Sequence, residues 1–341
     1  MTKPSIHKKI TIHEIARISG LSTATIDRVL NQRPGVREST RLRVEAAIAQ
    51  SQQAQQQELA TQRIAFIIEA GSSFAQTVRE AMEQLQAYYP RISFSFDSVP
   101  GYQFDPASFC PLIAARSAEA DAIILVSRDH VQVNSEVRKA IANGVPVIAL
   151  VTDLPSASAY VGVDEVSAGA NAALFIGRMA RSEAKKLLFV ASATYRCQEE
   201  REMGFRRVIR SDFPGLEIEE TFISNDESDK TYALMTKFLA KNPGTVGIYN
   251  SAGGNRGIAR AIKEAQLAQD IVFVGHDLTE HTQKLLEQGD MDVVFSYDMK
   301  RVVKQAIDIA SQPLEKISSS RIILPLITYT RYSWFGDINP L

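Results

Sequence analysis

The sequence predicts an α/β fold, with a small N-terminal domain of three helices followed by a larger domain of two lobes, each containing a parallel sheet. Three observations predict this organisation. The chain has 341 residues, of which 45% are hydrophobic, so it is long enough for one large α/β unit and a small module. Short β-rich runs alternate with amphipathic helical segments over most of its length. Residues 1–50 differ from the rest in both pattern and charge.

The charge is concentrated at the N-terminus. Residues 1–50 carry nine Lys and Arg against four Asp and Glu, whereas the whole chain has a formal net charge of −1. The remaining residues therefore carry a net charge of −6. This asymmetry indicates that only the N-terminal part meets a polyanion such as DNA. A solvated basic face would have the same composition, so charge alone does not decide between the two.

Residues 11–31 have the pattern of a helix-turn-helix. Thr11 and Glu14 form a capping box at the start of a first helix, on which Ile12, Ile15 and Ala16 share one face. Gly20 can adopt the left-handed conformation that ends this helix.

Ser22 is a suitable N-cap for the second helix, whose inward residues would be Ile26, Val29 and Leu30. Thr23, Ala24 and Arg28 then point outward, where small side chains allow close approach to base edges in a major groove. An ordinary helical hairpin is the alternative interpretation.

The N-terminal residues resemble the DNA-binding domain of lactose-repressor-type regulators. The motif is Thr-Ile-x-Glu-Ile-Ala-x-x-Ser-Gly-Leu-Ser-x-x-Thr-Ile-x-Arg-Val-Leu-Asn over residues 11–31, followed by Arg-Pro-Gly-Val at 33–36. The resemblance implies that Thr23, Ala24 and Arg28 lie in the major groove. It places a further group near the DNA backbone: Ile12, His13, Ser22, Thr25 and Asn31. Asp27 departs from the family, which usually has a serine there, and its carboxylate would repel DNA unless Arg28 or another base pairs with it.

Residues 51–62 form a Gln-rich connector between domains predicted at 1–50 and 63–341. Its composition cannot bury a core, so we interpret it as a linker that becomes helical on binding. The family has a hinge helix here whose leucine enters the minor groove. Leu59 is the candidate for that role.

The larger domain contains nine β-rich runs and at least six helical segments. The runs are Ile64–Glu69, Ile92–Asp97, Ala122–Val126, Val145–Val151, Leu187–Ala191, Ile218–Ile223, Val246–Tyr249, Ile271–Gly275 and Asp292–Ser296. The helical segments include Ala75–Tyr88, Ser167–Met179, Arg201–Ile209, Lys230–Leu239, Arg256–Ala265 and Met299–Ala310. Nine strands are many for one twisted sheet, which favours two Rossmann-like lobes.

Open parallel sheets bind ligands at the carboxyl ends of their strands. The residues that follow the predicted strands include aromatic, amide, carboxylate and guanidinium groups, a mixture suited to a neutral polyol. The candidates for ligand binding are Phe74, Asp129, Arg196, Glu199, Asn250, Asn255, Asp277 and Tyr297. His276 and Asn250 also have ordinary structural interpretations.

This domain is also similar to the sensor domain of the same family, which shares its fold with periplasmic sugar-binding proteins. The best-matched segments are Val163-Asp164, Arg201-x-x-Gly204-Phe205, Tyr249-Asn250 and Gly275-His276-Asp277. The resemblance implies that Asp277, Asn250 and a position near Arg196–Glu199 contact the ligand, although the family often has Arg in place of Glu199. Crossings between the lobes are predicted near Gly162, Gly289–Met291 and Arg321.

These features favour a homodimeric transcription regulator, a repressor, that binds a double-stranded DNA operator under the control of a sugar or polyol effector. A periplasmic-type transport receptor and a sugar-phosphate enzyme are the alternatives. The absence of a signal peptide disfavours the first, and the absence of a catalytic motif disfavours the second. Two cysteines and five histidines without ligand spacing predict no metal or cofactor. No apolar run is long enough to span a bilayer, so we expect a cytoplasmic protein.

Overall fold

The computed structural model of the chain describes residues 11–31, 33, 35–59, 62–180, 186–219, 222–224, 228–317 and 320–333. They form two compact units, described separately below. Together these residues contain twelve α-helices and thirteen strands. The predicted α/β class, with N-terminal helices and two sheets dominated by parallel pairs, is confirmed.

The N-terminal unit is built on α1 (Ile12–Ser19), α2 (Thr23–Leu30) and α3 (Glu38–Leu59). The predicted cap residues are in place: the Thr11 side chain accepts from the Glu14 amide, which is one half of the predicted capping box, Gly20 has φ 63°, and the Ser22 side chain accepts from the Thr25 amide. These interactions satisfy backbone groups that a helix end leaves unpaired, which is why both helices begin where the sequence indicates.

The core of this unit differs from the prediction at one position. Its buried members are Ile15, Ile26, Val44 and Ala47. Leu30, expected to face inward, is 45% exposed because it lies in the last turn of α2, outside this small core.

The sequence predicts three short helices, but the third is long, because it continues to Leu59 through most of the Gln-rich segment. Ser51, the first residue of that segment, is buried and donates a hydrogen bond to Glu14 (Oγ–Oε1, 2.7 Å). This contact explains why α3 does not end at residue 50. The side chains of residues 52–59, Leu59 included, lie outside the described part of the structure.

The first lobe is built on a six-stranded sheet. Its strands are β1 (Gln62–Ala70), β2 (Ile92–Pro100), β3 (Ala122–Val126), β4 (Val147–Leu150), β5 (Ala159–Gly162) and β12 (Arg321–Ile323). They are ordered β12-β5-β4-β3-β1-β2. The helices α4 (Ser72–Leu85), α5 (Pro106–Glu119), α6 (Val131–Ala142) and α12 (Met299–Ala310) flank the sheet. Ile67, Phe109, Ile123 and Val137 are among the buried residues between the sheet and α5 and α6.

The second lobe contains seven strands and five helices. Its strands are β6 (Lys186–Ala191), β7 (Glu217–Ile218), β8 (Phe222–Ile223), β9 (Thr245–Asn250), β10 (Val272–His276), β11 (Val293–Ser296) and β13 (Ile327–Tyr329). The order is β13-β11-β10-β9-β6-β7, with β8 also paired to β6. Only β13 runs antiparallel to its neighbour among the pairs the structure describes here.

The helices of this lobe are α7 (Glu165–Met179), α8 (Arg196–Asp212), α9 (Ser228–Lys241), α10 (Asn255–Glu264) and α11 (Glu280–Gln288). The first two cover one face of the sheet, where Phe189 and Phe205 are buried. The other three cover the opposite face, where Ile248 and Phe273 are buried. Helices on both faces account for the continuous apolar runs that the sequence shows in the strands.

The chain crosses between the lobes three times. It passes from β5 to α7 after Gly162, as predicted, and from β12 to β13 just after the predicted Arg321. The crossing predicted at Gly289–Met291 is wrong, because this segment joins α11 to β11 within the second lobe. The crossing lies instead at 297–298, since α12 packs on the first lobe.

Candidate functional site

The carboxyl ends of strands from both lobes surround a cavity of about 590 Å³. This volume is in the range of pockets for small molecules. The first lobe contributes residues that follow β1, β3 and β4, and the second contributes residues that follow β6, β9, β10 and β11. The polar residues that line the cavity include Thr152, Tyr195, Gln198, Arg201, Ser251, Asn255, His276, Asp277 and Tyr297.

Arg201 is a buried cation at the cavity wall, and it is already paired. Its guanidinium donates to both carboxylate oxygens of Glu165, at 2.6 Å from Nε and 2.9 Å from Nη2. Its Nη1 donates to the carbonyl of Ser251 at 2.8 Å. Although burial desolvates the guanidinium, the Glu165 charge raises the pKa of Arg201 above its ordinary value. Arg201 is therefore a fixed donor group whose charge is largely neutralised within the protein.

Asp277 presents a carboxylate to the cavity without a hydrogen bond or ion pair to any other described residue. Its backbone is held by bonds from its amide to Phe295 and from the Thr282 hydroxyl to its carbonyl, both 2.8 Å. Its φ of 67° lies in the left-handed region, which non-glycine residues occupy rarely and often at functional sites. Desolvation raises the pKa of Asp277. Because the Asp277 carboxyl group has no hydrogen-bond partner among the described residues, its oxygens are available to a ligand.

Two neutral groups beside Asp277 are buried without a hydrogen-bond partner. They are the Tyr297 hydroxyl and Nδ1 of His276. The other ring nitrogen of His276 lies 2.7 Å from the hydroxyl of Tyr249. Desolvation holds the pKa of His276 well below its ordinary value, so the imidazole is neutral at pH 7. Unsatisfied buried polar groups cost free energy, and these two groups in the wall of the cavity lack a partner among the described residues.

Asn255 completes this wall of the cavity. Its Oδ1 accepts from Nδ2 of Asn250 at 2.7 Å, and its own Nδ2 donates to the His276 carbonyl at 3.2 Å. Asn250 is fully buried behind it. Asn250 therefore orients Asn255, and of these two side chains only Asn255 lines the cavity.

The structure divides the eight ligand-binding candidates into two groups. Those that line the cavity are Phe74, Asn255, Asp277 and Tyr297. Those that the structure does not bring to the cavity wall are Asp129, Arg196, Glu199 and Asn250.

The members of the second group either have partners away from the cavity or face solvent. Asp129 accepts from Asn134 at 2.6 Å, Arg196 pairs with Glu200 at 3.0 Å, and Glu199 is exposed to solvent. Helix α8 begins at Arg196, so the residues that reach the cavity are spaced along its inward face.

Several lining residues were missed by the sequence interpretation. Gln198 and Arg201 are three residues apart on α8, a spacing that places them on one helix face. This spacing is the signal in the sequence, and it lies within a helix and not directly after a strand end. Tyr195 and His276 were also left out of the candidates, although both follow or end a strand.

The DNA-binding candidates lie on the surface of the N-terminal unit. Thr23, Ala24 and Arg28 are exposed on α2, and Ala24 and Arg28 lie on the side opposite the buried Ile26. The candidates for backbone contact surround them, with Thr25 half-buried and the others exposed: Ile12, His13, Ser22, Thr25 and Asn31.

The structure also places a partner beside Asp27. The Asp27 carboxylate lies 3.4 Å from Nη2 of Arg33 and accepts from Nδ2 of Asn31 at 2.8 Å. The base that compensates Asp27 is thus Arg33. Because Asn31 donates both its amide contacts to Asp27, its side chain is not free for a phosphate in this conformation.

Within the described residues, no group of three or more His, Cys, Asp or Glu side chains is arranged to bind a metal. None of the described helices is long and apolar enough to cross a membrane.

The two lobes, their three crossings and the cavity between strand ends define the class of two-lobed α/β binding proteins. The family described as periplasmic binding protein domain matches residues 103–316, and the family described as bacterial regulatory proteins, lacI family, matches residues 11–52. The chain belongs to the periplasmic binding protein domain family, and with its N-terminal helices it is a LacI-type regulator with a sensor domain of that fold.

Solved structures support the fold. A solute binding protein from Agrobacterium vitis with bound α-D-tagatopyranose is 20% identical, with a TM-score of 0.71 over 80% of this chain and 95% of that chain. A solute binding protein from Bacillus halodurans with bound myo-inositol is 18% identical, with a TM-score of 0.71 over 80% and 96%. One from Actinobacillus succinogenes with bound D-allose is 21% identical, with a TM-score of 0.70 over 80% and 98%. No curated protein matches the sequence.

Proposed function

We propose that this protein is a DNA-binding transcriptional repressor whose operator affinity is controlled by a small, uncharged carbohydrate bound between the lobes. The observation that carries the proposal is a cavity with an unpaired carboxylate and two unpaired neutral polar groups, in the same chain as a helix-turn-helix whose second helix is exposed. We assign DNA recognition to residues 1–50, effector binding to 63–341, and the connection to 51–62.

The chemistry of the cavity favours hydroxyl groups in the effector. The Asp277 carboxylate accepts hydrogen bonds, and the Tyr297 hydroxyl and His276 Nδ1 each lack a partner. A polyol can donate hydrogen bonds to the carboxylate, while the ring of Phe74 covers an apolar face of a sugar. Three structurally similar binding proteins hold tagatose, myo-inositol and allose, which supports this class.

The charges disfavour an anionic effector. The buried cation Arg201 is already paired with Glu165, and the carboxylate of Asp277 would repel a phosphate or carboxylate group. The other arginine of the lining, Arg256, is exposed. An uncharged ligand avoids both the repulsion and the cost of burying a second negative charge.

The N-terminal unit supports DNA as the partner. Small side chains at Thr23 and Ala24 permit close approach to bases, and Arg28 can donate to guanine. Two copies of the chain would bind the half-sites of a pseudo-palindromic operator in the cytoplasm. Effector binding would then change operator affinity through coupling, typically 1–3 kcal/mol.

The first test is a thermal-shift screen of the full chain with neutral sugars and polyols, each paired with its phosphorylated form. A ligand of the folded state raises the melting temperature by mass action. We expect a shift from a neutral compound and none from its phosphate. A shift with phosphorylated compounds alone would contradict the proposed effector class.

The second test separates the two activities. Operator fragments are first selected from genomic DNA with the wild-type protein at fixed salt. Arg28→Ala should lose binding to the selected fragment but keep the ligand-induced thermal shift, whereas Asp277→Ala should lose the shift and keep DNA binding. Loss of both activities in either folded variant, or of neither, would refute the assignment.

A further inference from the structure

A contact between the lobes lies directly beside the cavity. The hydroxyl of Tyr195, in the second lobe, donates to the carboxylate of Glu69 at the end of β1 in the first lobe (Oη–Oε1, 2.6 Å). Both side chains are buried, with Tyr195 5% exposed and Glu69 fully enclosed. Tyr195 also lines the cavity. A hydrogen bond to a buried carboxylate across the cleft can therefore couple lobe closure to the shape of the site.

The acceptor of this bond is held in place within the first lobe alone. Arg128 donates to Glu69 from Nη2 at 2.6 Å and from its backbone amide at 2.9 Å, and its Nη2 also donates to the carbonyl of Gly101 at 2.7 Å. Its guanidinium lies over the ring of Phe104 at 4.3 Å. All these groups belong to one lobe, so the Glu69 charge stays compensated whether or not Tyr195 is present.

We propose that Glu69 and Arg128 are positioning residues that hold Tyr195 against the cavity and thereby favour the closed arrangement of the lobes before any ligand binds. The guanidinium of Arg128 lies 5.4 Å from the centroid of the Tyr195 ring, which adds a cation–π contact to the hydrogen bond. Opening the lobes breaks the contacts of Tyr195 and the hydrogen bond from the Cys197 amide to the Thr152 hydroxyl (3.4 Å), whereas the Glu69–Arg128 pair remains intact. The proposal concerns the cavity of the proposed function, but it does not depend on the identity of the effector.

Gly101 provides a way to test this contact without removing a polar group. A Cβ added there would lie 2.7 Å from the Tyr195 hydroxyl, closer than real Cβ contacts. Gly101 does not line the cavity, and its φ is not in the left-handed region. Gly101→Ala should thus obstruct Tyr195 in the closed arrangement, with no direct effect on a ligand.

The experiment compares Tyr195→Phe and Gly101→Ala with two matched controls. Tyr232→Phe removes a hydroxyl that donates to Glu264 within the second lobe, and Gly215→Ala adds a methyl group where no atom lies within 4 Å. The measurement is hydrogen–deuterium exchange of the full chain without ligand or DNA. The informative peptides cover residues 70–77 of the first lobe and 251–256 of the second, which line the cavity.

We expect exchange in both peptides to rise by about tenfold in Tyr195→Phe and in Gly101→Ala, as for the loss of one hydrogen bond to a charged group. The double variant should equal either single variant, because both changes remove one contact. The controls should match the wild type. Unchanged exchange in Tyr195→Phe, additive effects in the double variant, or an equal rise in the controls would overturn the proposal. None of these outcomes depends on effector or DNA binding, so a failure here is distinct from a failure of the proposed function.

Discussion

Replacing Gly204 with alanine should push helices α7 and α8 apart. A Cβ added at Gly204 would overlap the carbonyl oxygen of Val166 on α7, and it would lie 2.9 Å from the Val166 carbonyl carbon and 3.1 Å from the Ala170 amide nitrogen. All three atoms are backbone, so no change of side-chain rotamer can relieve the overlap. The reciprocal position, Gly169 on α7, meets the backbone of Arg201 and Phe205 in the same way.

Two opposing effects set the magnitude. Alanine favours a helix over glycine by about 1 kcal/mol, through propensity and the entropy of the unfolded chain. Overpacking a close interface costs about 1–3 kcal/mol and occasionally more. Because the obstruction is backbone on a second helix, we place the cost at or above the upper end. The net loss in the free energy of unfolding should be about 2 kcal/mol or more, equivalent to roughly 4–8 °C in melting temperature.

The assay is thermal and urea unfolding of the full chain. Gly177→Ala is the matched control, since Gly177 lies on α7, the partner helix of α8, but its added Cβ would meet the Phe213 ring, at 2.5 Å, rather than backbone. Phe213 is a side chain that can shift, so Gly177→Ala should cost less than Gly204→Ala. If Gly204→Ala were as stable as the wild type, the close backbone packing of α7 and α8 would be refuted.

Three further predictions concern charged and titratable groups. Because the pKa of His276 is lowered, the unfolded chain binds a proton that the native state excludes, so stability should fall as the pH drops below about 6.5, by up to about 1.4 kcal/mol per pH unit. His276→Gln should flatten this slope in urea unfolding, and an unchanged slope would exclude His276 as its source. Asp27→Asn should free Arg33 to contact a phosphate. The plot of log binding constant against log salt concentration for random duplex DNA should then become steeper by about 0.9, whereas an unaltered slope would show that Asp27 does not keep Arg33 from the phosphate. Burial raises the pKa of Cys197 to about 12, so iodoacetamide at pH 8 should label it more slowly than the half-buried Cys110 in peptide mass spectrometry; equal labelling would contradict its burial.

Local signals explain what the sequence predicted well. The caps at Thr11, Gly20 and Ser22 act within three or four residues, so the boundaries of α1 and α2 follow directly from them. Strand runs such as Ala122–Val126 are buried on both faces and therefore read as continuous apolar segments. Asp277 and Tyr297 were found because they follow such strands.

Contacts between distant residues account for what the sequence did not predict. The role of Glu69 depends on its hydrogen bond with Tyr195, which is 126 positions away in the sequence. The sequence alone indicates only that Glu69 lies at the end of a strand. Arg201 was missed because its approach to the cavity depends on the direction of α8 and on Glu165 at the start of α7. Strands β5, β12 and β13 have only three or four residues each, too few to show a period. Their place in the sheets is set by the partners they pair with.

The late return of the chain to both lobes has a consequence for synthesis on the ribosome. The first lobe requires α12 and β12, and the second requires β13, so neither sheet has all its strands until residues 321–329 have been made. The three N-terminal helices, in contrast, are complete by residue 59. Domains fold in order as they emerge. A nascent chain can therefore complete its helix-turn-helix while both sheets remain unfinished, and a premature stop codon before residue 320 would leave those helices attached to two sheets that each lack an edge strand.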